Sequence, residues 1–297
     1  MQLSRMAVQP IIDRALREDI GSGDVTTLLT VPAEAEATAE IVAKKRGVIS
    51  GLPVAGWIFQ TLDPQVECES LVEEGSAVAP LQTDEGLRGV LVARLRGKAR
   101  ALLTGERAAL NFLQRMSGIA TITSRFVALA EKAASNAGVK PPRILDTRKT
   151  TPGMRLLEKY SVRVGGGCNH RSGLYDAVLI KDNHIVAAGG IGEALTRARG
   201  RVSSMMKIEI EVKDLNELDE ALATGADVIM LDNMSVEEIR QAATRVAGRT
   251  KLEVSGGVNE GTIAELATTG VDYISVGALT HSAPSVDISM NLRMVDG

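Results

Sequence analysis

Residues 144–181 gather several cationic side chains around a glycine run and the ends of strand-like runs. Arg148 and Lys149 follow Ile144-Leu-Asp-Thr147 and precede Thr150-Thr-Pro-Gly153. His170 and Arg171 follow Gly165-Gly-Gly-Cys-Asn169, and Lys181 ends the run Ala177-Val-Leu-Ile180. Two of the three histidines, His170 and His184, lie in or just after this stretch. The formal net charge of the whole chain is -3, so this is a local positive site in a slightly acidic protein. Guanidinium is the better bidentate partner for a planar carboxylate, and ammonium is a point charge suited to phosphate. Taken alone, Arg148-Lys149 also reads as a solvated basic turn. The further cations at His170, Arg171 and Lys181 turn the balance toward a site for a small polyanion.

Two other residue sets complement the cations. Glu211 and Asp232 each end or nearly end an apolar run, Ile208-Glu-Ile-Glu-Val212 and Val228-Ile-Met-Leu-Asp232. Carboxylates facing so much positive charge suit Mg²⁺, ribose hydroxyls or an electron-poor sugar carbon, with acid–base work as the competing use. Glu209 alternates with Glu211 and shares its face; Glu211, nearer the strand end, is the preferred candidate. Ser255-Gly-Gly257 and Val276-Gly277 place flexible backbone after two successive late runs, where its N–H groups could hold a phosphate. Cations for carboxylates, glycines for a phosphate, and carboxylates for metal or ribose together suit transfer of a phosphorylated sugar to a small acid. There is no P-loop, no dinucleotide fingerprint after a strand and no paired zinc ligands.

The elements that must position these residues are short. The runs 143–146, 177–181, 208–212, 228–232, 252–255 and 273–277 are mostly continuous and apolar, as strands buried on both faces should be. Helical patterns lie between the later runs: Leu215, Leu218 and Leu222 follow Asp214, Ser235-Val-Glu-Glu238 is a capping box, and Ile263, Leu266 and Ala267 share a face. Alternation at this pace predicts βα units, a parallel sheet and a closed or nearly closed barrel. Lys181, Glu211, Asp232, Ser255 and Gly277 then sit at the C-terminal strand ends, where such barrels carry their sites. Residues 1–115 read differently. A short helix over 11–19 is followed by a turn at Gly21–Thr27 leading into extended chain. β-like runs in 36–50 and 66–98 turn near Glu74-Gly75 and Asp84-Glu-Gly86. A helix from Ala108 to about Lys132 has Gly118 as its expected break. The expected organisation is an α+β domain over 1–115, a barrel over 116–281, and a tail, 282–297, packing back on the first domain.

Composition narrows the function classes. Hydrophobic residues make up 44% and aromatics 2%, which gives a full aliphatic core and too few rings to stack bases. Nucleic-acid binding is therefore not expected. No apolar run reaches membrane-spanning length and no signal-peptide core opens the chain, so a cytoplasmic protein is expected. Cys68 and Cys168 form neither a disulfide framework nor a metal motif; Cys168 reads as a small filler beside glycines.

At these residues the chain resembles the quinolinate phosphoribosyltransferase family, the carboxylating nicotinate-nucleotide pyrophosphorylases. The resemblance rests on Gly21-Ser-Gly-Asp-Val-Thr-Thr27, Gly105-Glu-Arg-Ala108, Leu110-Asn-Phe-Leu113, Ser117-Gly-Ile-Ala-Thr121 and Asp146-Thr-Arg-Lys-Thr-Thr-Pro-Gly153. It continues through Gly165-Gly-Gly167, Asn169-His-Arg171, Leu179-Ile-Lys-Asp-Asn-His184, Leu231-Asp-Asn233, Ser255-Gly-Gly257 and Val276-Gly-Ala-Leu-Thr-His281. It implies an N-terminal α/β sandwich plus an open, type II phosphoribosyltransferase barrel. It also implies that quinolinate and 5-phosphoribosyl 1-diphosphate, with Mg²⁺, give nicotinate mononucleotide, diphosphate and CO2 in NAD biosynthesis. By the resemblance, Arg148, His170, Arg171 and Lys181 bind the two quinolinate carboxylates, with Arg107 added from the other subunit of a homodimer. Thr147, Lys149, Glu211 and Asp232 contact the donor and its metal, and Ser255, Gly256, Gly257 and Gly277 hold the 5-phosphate. The alternatives are a sister enzyme acting on another pyridine acid (a nicotinate phosphoribosyltransferase or a molybdate-associated pyrophosphorylase-like protein) and a non-catalytic barrel that binds phosphometabolites.

Overall fold

The computed structural model of the protein describes residues 3–83 and 86–295. Its strands are β1 (Glu36–Ala43), β2 (Gly47–Val48), β3 (Glu67–Ser70), β4 (Ala77–Val78), β5 (Leu81–Thr83), β6 (Gly86–Arg88) and β7 (Val90–Lys98), then β8 (Arg143–Leu145), β9 (Val178–Ile180), β10 (Ile208–Val212), β11 (Val228–Asp232), β12 (Lys251–Ser255), β13 (Tyr273–Ser275) and β14 (Ile288–Met294). The chain divides into two compact units. One comprises Met1–Ile122, Thr151–Gly166 and Ala283–Gly297, the other Thr123–Thr150 and Gly167–Ser282.

The first unit is built on an antiparallel sheet in the order β14-β1-β7-β3. β1 alternates along its length: Ala37, Ala39, Ile41 and Ala43 are buried while Thr38 and Glu40 turn outward. Period-two burial of this kind gives the sheet one core face. The apolar cluster on that face includes Val8, Ile12, Ile58, Phe59, Leu102, Leu113 and Met116. The tail supplies β14, which pairs with β1 from Ala37↔Met294 to Ala43↔Ile288. Thr151–Gly166 joins this unit instead of the expected barrel for a long-range reason. Glu158, buried, accepts from Arg115 Nη2 at 2.9 Å, from Thr151 Oγ1 at 2.8 Å and from the Thr151 amide at 3.0 Å. Arg115 also donates to the Ala283 carbonyl at 2.8 Å.

Three local expectations are corrected. The first helix runs over Arg5–Ile20 with Pro10 inside it, so the proline's missing N–H does not end the helix. Residues 25–30, expected as the end of a turn and the start of extended chain, form a helical turn, because Asp24 caps it by accepting from the Thr27 amide at 3.0 Å. The long helix is continuous over Ala99–Ala137. Gly118 is not a break: a Cβ there would run into the Pro284 carbonyl, so the glycine permits close approach of the tail. A helix over Leu52–Leu62, with Pro at its start, was not foreseen. β5 and β6 pair antiparallel, while Asp84 and Glu85 of the expected turn lie outside the described residues.

The second unit carries a six-stranded sheet in the order β8-β13-β12-β11-β10-β9, with all five strand pairs parallel. β8 and β9 are its two edges, so the barrel is open. β11 is buried along four of its five residues, with only Asp232 emerging. Helix starts follow the expected chemistry: Asp214 accepts from the Asn216 and Glu217 amides, and Ser235 and Glu238 form the reciprocal box. Cys168 bridges to Leu145 through its backbone.

Candidate active site

A cavity of about 770 Å³ opens at the C-terminal ends of these strands. Thr147, Arg148, Lys149, His170, Arg171, Lys181, Asp232, Ser255, Gly256, Gly257 and Gly277 all line it. The volume falls within the range of small-molecule sites. Glu211 is not among the lining residues but reaches the site through Lys181, whose Nζ lies 2.6 Å from Glu211 Oε2. Arg107 belongs to the first unit, exposed on the Ala99–Ala137 helix, and is no part of this lining.

The cationic wall is held by a buried carboxylate. Asp146, fully buried just after β8, accepts from Asn169 Nδ2 at 2.5 Å and from the His170 amide at 2.9 Å. This ties the 146–150 loop to the segment carrying His170 and Arg171. Lys149 is fixed through its backbone: its amide donates to Thr147 Oγ1 at 3.0 Å and its carbonyl accepts from Thr280 Oγ1 at 2.8 Å. Burial first, and the neighbouring Arg148 cation second, pull the Arg171 guanidinium below its ordinary range. Two guanidinium groups held near each other at a cavity wall favour an anionic occupant. Lys181 precedes the helix Asp182–Ala188, and its amide donates to His184 Nδ1 at 3.0 Å. His184 is thus a capping residue in this site.

Backbone lines another part of the cavity. Gly256 and Gly257 have φ of 95° and 63°, so consecutive residues sit in the left-handed region that glycine tolerates. Successive N–H groups in such a turn make a concavity for an anion. Asn259 turns the chain after them, accepting from the Gly261 amide at 2.8 Å, and the next helix begins at Ile263. At Gly277 an added Cβ would meet His281 and Lys149 Cδ, each at 3.2 Å. Asp232 and Glu211 are carboxylate oxygens on adjacent strands, a donor set that fits Mg²⁺. Asp232 Oδ2 also accepts from Asn233 Nδ2 at 2.9 Å.

Sequence reasoning missed a buried layer beneath this surface. His170 Nε2 lies 2.9 Å from Glu209 Oε2 and 3.6 Å from Glu253 Oε1. Ser275 Oγ donates to Glu253 Oε1. Glu253 stands two residues before Ser255, the same spacing that links Glu209 to Glu211, and that period-two pattern could have found it. Met230, Asn233 and His281, none of them assigned a role from sequence, also line the cavity.

Burial, and next the charge of Glu209, push the Glu253 carboxyl up to about 8 from an ordinary 4.5. An acid protonated when folded and ionised when unfolded loses stability as pH rises. The contribution is complete below about 4.5 and is lost up to about 8, at a slope of at most about 1.4 kcal/mol per pH unit. Glu253→Gln removes the titration. Urea unfolding at several pH values between these limits is expected to show the wild type losing stability relative to Glu253→Gln as pH rises. A difference independent of pH would mean that Glu253 ionises in the folded protein as it does in the unfolded chain.

The geometry agrees with comparison to known proteins. Residues 24–117 match the quinolinate phosphoribosyl transferase N-terminal domain, and residues 119–291 match the C-terminal domain of the same family. A Bacillus subtilis (strain 168) protein named probable carboxylating nicotinate-nucleotide pyrophosphorylase is 42% identical over 98% of this chain and 96% of its own length. The decarboxylating quinolinate phosphoribosyltransferase 1b of Nicotiana tabacum is 40% identical over 95% of this chain and 81% of its own. The crystal structure of NadC from Streptococcus pyogenes superposes with a TM-score of 0.91 at 41% identity, covering 100% of both chains. On these matches, which span both units and every lining residue of the cavity, the chain belongs to the quinolinate phosphoribosyl transferase family.

Proposed function

We propose that this protein transfers the phosphoribosyl group of 5-phosphoribosyl 1-diphosphate to the ring nitrogen of quinolinate, with decarboxylation to nicotinate mononucleotide, as a step of NAD biosynthesis. The observation that carries this reading is a single cavity lined both by Arg148, Lys149, Arg171 and Lys181 and by the left-handed Gly256 and Gly257. Arg148, Arg171 and Lys181 bind a ring with two carboxylates. Lys149 and Thr147 face the donor. Ser255, Gly256, Gly257 and Gly277 receive its 5-phosphate. Asp232 and Glu211 would hold Mg²⁺, which supplies charge neutralisation of the departing diphosphate.

The chemistry follows from this placement. Held side by side, the pyridine nitrogen attacks the anomeric carbon as the bond to diphosphate breaks, so much of the rate gain is orientation. Positive charge developing on the ribose ring is stabilised by the nearby carboxylates. Quaternising the nitrogen makes the adjacent carboxylate a leaving group. It departs as CO2, its bonding pair stays on the ring carbon beside the cationic nitrogen, and a proton then fills that position. Decarboxylation therefore follows sugar transfer.

Mass-spectrometric product analysis with quinolinate, 5-phosphoribosyl 1-diphosphate and Mg²⁺ tests both reaction and order. Nicotinate mononucleotide and CO2 in equal amounts are expected, with no CO2 when the donor is omitted. Ribosylation of a different acid instead would move the protein to a sister activity, and CO2 release at full rate without donor would reverse the order.

The proposed assembly is a homodimer in which Arg107 serves the partner's site. An exposed arginine on the first unit is available for that role. Mixing inactive Arg107→Ala with inactive Lys149→Ala protein is expected to recover about a quarter of wild-type activity, since random exchange leaves about one site in four intact. No recovery in a mixture shown to exchange subunits would place Arg107 in its own chain's site. We place the enzyme in the cytoplasm; among the described residues no helix is long and apolar enough to cross a membrane.

A further inference from the structure

β11 and β12 end side by side, with Asp232 paired to Ser255. The residue that joins these two ends is Asn233, and three of its groups are engaged. Its backbone amide donates to the Ser255 carbonyl at 3.0 Å. Its side-chain Nδ2 donates to Asp232 Oδ2 at 2.9 Å. Its Oδ1 fills the space that a Cβ on Gly256 would need. Asn233 therefore touches both the carboxylate and the turn Ser255-Gly-Gly257, and it lines the same cavity as they do.

The backbone of Asn233 shows that its side chain has a use. It has φ 53°, and among the described residues the only other non-glycine in the left-handed region is Ala247, at φ 49°. Ala247 ends the helix Val236–Val246, where that conformation lets the chain satisfy the last carbonyls. Asn233 follows a strand and has no helix to close. Glycine would meet the backbone demand at lower cost. Asparagine also tolerates the region, and it adds an amide. The orientation of that amide follows from its neighbours. Turned over, it would set Oδ1 against the Asp232 carboxylate, two acceptors with no proton between them. Aspartate would accept the same φ and suffer the same repulsion. What separates asparagine from both alternatives is the hydrogen bond it donates to Asp232.

We propose that Asn233 is a positioning residue for Asp232, holding its carboxylate at a fixed angle to the Ser255-Gly-Gly257 turn so that a phosphorylated ribose meets both at once. The proposal rests on the assignment of Asp232 and this turn to the sugar donor made above. The bond from Nδ2 occupies one lone-pair position on Oδ2 and leaves Oδ1 for ribose hydroxyls or Mg²⁺. Asn233 is tied to Ser255 through its backbone and packs on Gly256 through Oδ1. The carboxylate is thus fixed relative to the turn instead of sampling its own rotamers. The missing side chain at residue 256 is what admits Asn233.

Isothermal titration of Asn233→Gly tests the proposal with three probes: 5-phosphoribosyl 1-diphosphate with Mg²⁺, inorganic phosphate, and quinolinate. Glycine accepts the φ of 53° and removes only the side chain. Donor affinity is expected to fall about 20-fold, with phosphate and quinolinate affinities within about threefold of wild type. In an Asp232→Asn background the further change Asn233→Gly is expected to cost less than about twofold, since its effect passes through the carboxylate. Unchanged donor affinity in Asn233→Gly would overturn the proposal. So would an equal loss of phosphate affinity, which would make Asn233 a support of the turn alone. The same loss repeated in the Asp232→Asn background would also overturn it, by making Asn233 a direct ligand of the donor. Should Asn233→Gly not fold, Asn233→Asp decides the matter. It suits the same backbone, and its donor affinity is expected to fall at least about 20-fold because a second carboxylate replaces the hydrogen-bond donor. Wild-type donor affinity in Asn233→Asp would overturn the proposal. Wild-type protein that binds phosphate but no 5-phosphoribosyl 1-diphosphate would instead remove the functional reading, and the proposal with it.

Discussion

Lys181→Met is expected to lower kcat/KM for quinolinate about a thousandfold, or about 4 kcal/mol, with little change in melting temperature. The side chain is 45% exposed and its backbone is fixed independently by His184, so the fold does not depend on the ammonium. Its charge has two opposed relations, to Glu211 Oε2 at 2.6 Å and, in our reading, to a substrate carboxylate. Methionine keeps most of the stem and removes the charge. Glu211, whose side chain is only 14% exposed, is then left facing a dianion without compensation, which costs more than the missing attraction alone. Adding Glu211→Gln separates the two effects. Quinolinate affinity, measured by titration, is expected to recover about tenfold in the double variant because the repulsion is gone. Turnover is expected to stay low because the carboxylate is missing from the sugar side. If Lys181→Met instead raises only the donor KM, Lys181 belongs to the phosphate side of the cavity.

That pair also shows what the sequence made legible. A parallel strand buried on both faces is an apolar run with a sharp polar end, so β11 could be read to the residue and Asp232 placed at its end before any coordinates. Ser255 and Lys181 follow the same logic. The pattern gives way where tertiary contact overrides local preference. Gly21–Thr27 reads as a turn leading into extended chain, yet the Asp24 cap makes Val25–Thr30 helical. Gly118 reads as a helix break, and only the approach of Pro284, 166 residues away, explains it. Residues 151–166 leave the expected barrel because Glu158 meets Arg115, a pairing that no local spacing announces. The acidic layer was half visible. Glu209 was read as facing inward but set below Glu211, and Glu253 was passed over because a glutamate inside an apolar run gives no local sign of its partner.

The glycine wall offers the sharpest contrast between neighbours. Gly256→Ala is expected to raise the KM for 5-phosphoribosyl 1-diphosphate about 100-fold or more, and Gly257→Ala about tenfold. Both residues have positive φ, 95° and 63°, so alanine is strained at either. At 63° alanine enters the ordinary left-handed well, at about 1–2 kcal/mol. Space around an added Cβ at Gly257 is open within 4 Å, so strain is the whole penalty there. At Gly256 the same methyl would overlap Asn233 Oδ1. Asn233 is itself held at φ 53°, and its side-chain nitrogen donates to Asp232. Relieving the overlap therefore displaces either the amides meant for the phosphate or the carboxylate meant for ribose and metal. Both outcomes act on the donor, and neither acts on the cationic wall formed by Arg148, Arg171 and Lys181. Quinolinate affinity of the donor-free enzyme is expected to stay within about threefold of wild type in both variants. Equal effects of the two substitutions would mean that backbone strain alone governs this turn, and a parallel loss of quinolinate affinity would mean that the two walls of the cavity are not independent.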